Sequence, residues 1–145
     1  MSPEPTDSSA NGSSPGSRAE VGLVVTHRRY VPYSHAHYAG NLVDGAYSLA
    51  AFGDVATEMC IRTDGDEGLF ASYSDVQFRA PVRAGDVIEI SAALVRVGST
   101  SRAVAFAGGV VGLGGPGRGG SAAGVLGPPV VATTARGVVV VPPAG

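Results

Sequence analysis

Residues 41–62 constrain this chain more than any other stretch. No proline interrupts them, and apolar side chains fall at Leu42, Val43, Ala46, Leu49, Ala50, Phe52, Val55, Ala56, Met59 and Cys60. Spacing by three and four is the helical period, so the segment predicts one helix with a wide apolar stripe. A helix this apolar needs cover over most of its circumference. Gly53 costs about 1 kcal/mol relative to alanine and suggests close packing there. RTDGDEG, residues 62–68, closes the helix with turn residues.

The cover must come from strands. Residues 21–31 are β-branched and read as a strand. Residues 69–82 alternate from Tyr73 to Phe78 and end at Pro81. Residues 87–97 alternate Ile88, Ile90 and Ala92 against Glu89, Ser91 and Ala93. Further strands are expected from Ser101 and over residues 129–141. One helix followed by consecutive hairpin-linked strands predicts an α+β fold, an antiparallel sheet of about five strands wrapped on the helix. Such a sheet leaves exposed edges, and edge pairing to a dimer or higher oligomer is the usual remedy.

Residues 1–20 are Ser, Pro, Gly and Asn with little apolar mass, and are expected to be a disordered tail. Residues 21–141 form a single domain, in which the Gly-rich residues 114–128 are expected to be a flexible loop. The 145 residues suit one core. Net charge is −2, with no basic footprint for nucleic acid. Cys60 is the sole cysteine, so no intrachain disulfide forms, which favours a reducing, cytoplasmic setting. No apolar run approaches the roughly 20 residues that span a bilayer.

Ionisable groups gather beside the helix. His35, His37 and Asn41 precede or begin it, Asp44 lies in its first turn, and Gly40 and Gly45 permit close approach to the backbone. Asp54 and Glu58, four apart, share a helix face. Asp44 and Asp54 are ten apart, about 80° off one face, so they do not meet within one subunit. Each group also has a plain structural role available. Asp44 suits a helix N-terminus without any chemistry. Asn41 can cap, His37 can be a hydrogen-bonded structural histidine, and His35 reads as structural or exposed. Asp64 to Gly68 reads as a solvated acidic turn, and Cys60 as a core thiol. The His-Ala-His spacing matches no strong zinc motif, and no metal is expected.

The segments AHYAGNLVDGA, FGDVATE, DGDEGLF, APVRAGD and VGSTSR together resemble the 3-aminobutyryl-CoA ammonia lyases, which are hot-dog proteins. The resemblance runs over residues 24–106. GNLVDGA also resembles the helix-start segment of hot-dog acyl-CoA thioesterases, and VGSTSR their strand segment lining the acyl-CoA channel. The tail, the Gly-rich segment and the first strand depart from the lyases.

The resemblance implies elimination of ammonia from a 3-aminoacyl-CoA, or addition of ammonia or an amine to the enoyl thioester. No cofactor is implied beyond the coenzyme A of the substrate; the thioester partner is an acyl-CoA or acyl-carrier protein. That chemistry needs a base for the α-proton, donors for an enolate oxygen, and a carboxylate near the amine. Asp44 is the first candidate for acid/base work, followed by His37, Glu58, Asp54 and Asn41. Gly40, Gly45, Ser99, Thr100, Ser101 and Arg102 are the substrate-binding candidates, Arg102 as a phosphate partner and Arg79 and Arg83 as weaker ones. Rival expectations are an acyl-CoA or acyl-carrier thioesterase, and a non-catalytic thioester-binding subunit.

Overall fold

A computed structural model describes residues 19–114 and 123–143. The expected tail falls almost wholly outside the described residues, as does the middle of the Gly-rich segment. The chain runs β1 (Val24–Tyr30), a short helical turn (Tyr33–His35), a second (Ala39–Asn41), α1 (Gly45–Asp64), β2 (Leu69–Phe78), β3 (Val87–Val97), β4 (Ser101–Gly114) and β5 (Ala123–Val140). The five strands form one antiparallel sheet in the order β1-β3-β4-β5-β2. One long helix lies on the sheet, which is the hot-dog fold.

The helix buries Ser48, Ala51, Phe52, Val55, Ala56, Met59, Cys60 and Thr63. Steps of three and one keep these on one face. Against them β3 presents Ile88, Ile90, Ala92 and Leu94, and β4 presents Val104, Phe106 and Val110. Phe52 and Phe106 stack across the helix–sheet interface at 5.0 Å between ring centres. A narrow stripe of the helix, Ala46, Ala50, Asp54, Thr57 and Ile61, stays exposed.

The helix starts at Gly45, four residues later than its periodicity predicts. Gly40 and Asn41 both take positive φ, at 72° and 62°. Left-handed backbone ends helical hydrogen bonding, and glycine and asparagine tolerate it best. Leu42 then bridges to Arg83, and Asp44, in extended backbone, caps the helix rather than sitting in its first turn. At the other end Gly65, at φ 65°, returns its N–H to the Ile61 carbonyl.

The last strand starts earlier than expected, at Ala123 rather than residue 129. Its ladder to β4 breaks between Val130↔Val110 and Val125↔Gly112. Leu126–Pro129 therefore bulge out against the single residue Val111. Pro128 and Pro129 have no N–H to give the ladder, which places the break there. Residues 123–125 resume pairing, so this part of the Gly-rich segment is strand.

Candidate active site

Between β1 and α1 the chain is strapped to the segment that follows β2. The N–H groups of His37 and Tyr38 both donate to the Leu42 carbonyl, at 2.8 and 2.9 Å. Val43 N–H donates to Val82 O, and Ala84 N–H to Asn41 O, each at 2.9 Å. Asn41 thus serves through its backbone: its left-handed turn and carbonyl hold the loop.

These straps deliver Asp44 and His37 to one place. Asp44 Oδ1 accepts from Tyr47 N–H at 3.2 Å, which satisfies one orphan donor of the helix. Its other oxygen, Oδ2, stands 3.7 Å from His37 Nδ1. Both side chains remain open to solvent. The His35 ring instead leans on Tyr47, 4.7 Å between centres.

Beside Asp44 opens a cleft of about 190 Å³, walled by Tyr38, Leu42, Phe78 and Pro81 and reaching Ser48 and Thr133. Gly45 forms part of its lining. A Cβ at that position would lie 2.4 Å from Phe78 Cε1. The missing side chain therefore makes room for the Phe78 ring over the helix start.

Asp54 and Glu58 go elsewhere. Glu58 Oε1 is 2.7 Å from His27 Nε2, and Glu58 Oε2 accepts from Arg62 Nε at 2.7 Å. Asp54 Oδ2 accepts from Arg29 Nη2 at 2.5 Å. Two strand residues cover about 6.8 Å and four helix residues about 6 Å, so alternate positions of β1 match a helical i, i+4 pair. Bonding to His27, with help from Arg62, holds the Glu58 carboxyl below its usual range. Among the described residues neither carboxylate bonds Asp44 directly; Arg29 lies 5.7 Å over the Tyr47 ring, whose backbone N–H caps onto Asp44. His27 is the partner that sequence reading missed, because its alternation with Arg29 on β1 has no meaning until the helix lies alongside.

Arg102 lies at the opposite end of the helix. Its side chain is 5% exposed and faces Asp64, the last residue of α1, through Nη2–Oδ1 at 2.6 Å and Nε–Oδ2 at 3.1 Å. Its Nη1 also donates to the carbonyls of Gly98 and Ser101, at 2.8 and 2.9 Å. Burial pushes the Asp64 carboxyl up, but bonding to Arg102 and Thr63 more than offsets this and leaves it below the usual range. The expected acidic turn is thus divided: Asp64 is internal, while Asp66 accepts from Gly68 N–H at 2.8 Å. Cys60 is buried nearby, and burial pushes its thiol up to about 11, consistent with a core thiol.

Arg102 and the hairpin at Ser99, Thr100 and Ser101 are separated from Asp44 by the length of α1. Twenty residues make that about 30 Å. Of the other arginines, Arg79 Nε donates to Thr134 Oγ1 at 3.4 Å, and Arg83 stands opposite Leu42. Among the described residues no cluster of three His, Cys, Asp or Glu side chains is placed to hold a metal ion.

Comparison with known proteins follows the same lines. Residues 40–105 match the family model described as the thioesterase superfamily. The 3-aminobutyryl-CoA ammonia lyase of Acetoanaerobium sticklandii is 50% identical over 107 residues, covering 74% of this chain and 85% of that protein. The solved structure of β-alanyl-CoA:ammonia lyase from Clostridium propionicum superposes with a TM-score of 0.79 at 35% identity, over 84% of this chain and 87% of that one. A hexameric hotdog fold thioesterase of Campylobacter jejuni shares the fold at 20% identity and a TM-score of 0.62, over 84% and 83% of the two chains. With half its residues identical over 74% of its length and its fold shared over 84% of it, this chain belongs to the 3-aminobutyryl-CoA ammonia lyase family of hot-dog proteins.

Proposed function

We propose that the protein is a carbon–nitrogen lyase that removes ammonia from a 3-aminoacyl-CoA, or adds it to the enoyl thioester, at the cleft beside Asp44. The 50% identity to an ammonia lyase carries this reading. The cleft supports it with the parts the reaction requires. The Asp44 carboxylate, with His37 at 3.7 Å, takes the proton from the carbon next to the thioester. The electron pair moves onto the thioester oxygen, beside the helix N-terminus, where first-turn N–H groups and the helix dipole favour negative charge. The enolate then re-forms its carbonyl, a carbon–carbon double bond forms, and the carbon–nitrogen bond breaks. The ammonium departs as neutral ammonia with that bond's electron pair.

Asp54 and Glu58 act in this reading through β1, holding the helix that carries the site. Ser99, Thr100 and Arg102 lie too far along α1 to reach the same thioester within one chain. A second copy supplies such groups if they take part, so we infer at least a dimer. The reducing setting implied by one buried thiol suits a cytoplasmic enzyme acting on coenzyme A thioesters.

Purified protein mixed with crotonyl-CoA and ammonium tests the reading. Loss of enoyl absorbance and appearance of aminobutyryl-CoA by mass support it. Failure of crotonyl-CoA and longer enoyl thioesters alike overturns it, and release of free thiol without an amine requirement points to hydrolysis instead.

A further inference from the structure

Two hydroxyls at the floor of the cleft remain unaccounted for. Ser48 is 4% exposed and Thr133 is 2% exposed. Thr133 Oγ1 donates to Ser48 Oγ at 3.4 Å, a long contact. Among the described residues, the Ser48 hydroxyl makes no other hydrogen bond. A helical serine often folds back to the carbonyl four residues earlier; this one does not use Asp44 that way. Burying a hydroxyl without a good partner is unfavourable by roughly 1–3 kcal/mol, so such groups are rare and call for a cause.

Position supplies the cause. Ser48 follows Asp44 by four residues, so the two share a helix face. Side chains on a helix lean toward its N-terminus, which carries the Ser48 hydroxyl toward the first-turn N–H groups. Thr133 approaches from β5 on the far side. Accepting the hydrogen bond from Thr133, Ser48 retains its own O–H as a donor for the cleft. An oxygen gaining negative charge there meets the Ser48 hydroxyl, the helix amides and the positive end of the helix dipole together. An ammonium at this spot would oppose that dipole; it belongs by the Asp44 carboxylate.

Resting on the lyase reading above, we infer that Ser48 donates to the thioester oxygen as the enolate forms, and that Thr133 is a positioning residue that fixes the direction of that donation. Proton and charge balance as already written: the α-proton goes to Asp44, the electron pair to the thioester oxygen, and the Ser48 proton stays on Ser48 throughout.

The test separates enolate formation from loss of ammonia. Butyryl-CoA has no leaving group, so exchange of its α-protons in deuterated water, read by mass, reports the enolate step alone. Ser48→Ala should lower both this exchange and turnover of crotonyl-CoA with ammonium by about 100-fold, the usual scale for losing one oxyanion donor. KM should change by less than about threefold, as expected for an interaction made only in the transition state. Thr133→Val should lower both rates about tenfold, and Thr133→Ser should restore them. Thermal unfolding of each variant confirms the fold.

Wild-type kcat and exchange in folded Ser48→Ala would overturn the inference while leaving the lyase reading intact. A raised KM with unchanged kcat would overturn it as well, in favour of ground-state binding. A wild-type protein inactive in both assays would instead overturn the lyase reading.

Discussion

Arg102 and Asp64 face each other in a two-pronged ion pair, Nη2–Oδ1 at 2.6 Å and Nε–Oδ2 at 3.1 Å, that ties the end of α1 to the β3–β4 hairpin. Both side chains are nearly buried, and Nη1 donates to two hairpin carbonyls. Removing one partner strands a buried charge. Arg102→Ala should therefore destabilise the protein by about 3–5 kcal/mol, measured by urea unfolding. Replacing both residues with apolar ones of similar volume should cost much less.

The same pair sets an acid limit. Asp64 titrates lower in the folded chain than in the unfolded one. Its contribution is fully present above the unfolded carboxylate pKa of about 3.9 and is lost as pH falls through the folded value. Glu58, also lowered, adds in the same direction, though its partial exposure weakens the effect. Unfolding midpoints should fall below pH 4, and fall less in an Asp64→Asn variant relative to its own neutral-pH stability.

Capping and chemistry can be separated at Asp44. Asparagine caps a helix about as well as aspartate, whereas alanine costs about 1 kcal/mol. Asp44→Asn should unfold near the wild-type temperature yet lose lyase turnover by at least 100-fold. Asp44→Ala should lose both. Equal turnover in Asp44→Asn and wild type would remove Asp44 as the base.

Gly45 and Phe78 should behave as a unit. Gly45→Ala drives a methyl into the Phe78 ring, which is 60% exposed and must swing aside, so the clash should offset alanine's better helix propensity of about 1 kcal/mol. In a Phe78→Ala background the same change should be neutral or stabilising. A double-mutant cycle that shows simple additivity would disprove this coupling.

Parts of this arrangement were legible in the sequence because they repeat. Ile88, Ile90 and Ala92 alternate into the core as their spacing predicts, and Leu94 continues the series. The helix end at Gly65 follows from turn residues. The helix starts later than its apolar period predicts: Leu42 and Val43 fit that period, but left-handed backbone at Gly40 and Asn41 interrupts it. β5 starts earlier than the Gly-rich composition of residues 114–128 predicts, because Pro128 and Pro129 mark an excursion from a ladder that resumes at Val125. The pairing of His27 with Glu58 joins residues 31 apart, and nothing local announces it. Ser48 carries no signal of its own in the sequence; only the fold brings it within 3.4 Å of Thr133, 85 residues away.

Beyond the excursion at Leu126–Pro129 and a one-residue shift at Ala132, Thr133–Val140 keep unbroken register with β4, and Val125 on the outer side is 91% exposed. A ladder that already tolerates three surplus residues can absorb more, since lengthening a surface connection costs only about 0.6 kcal/mol per doubling. The excursion at Leu126–Pro129 is thus a natural port for an epitope tag or fluorescent reporter, and it lies toward the end of the sheet that carries the cleft, since Arg102 at the start of β4 marks the opposite end.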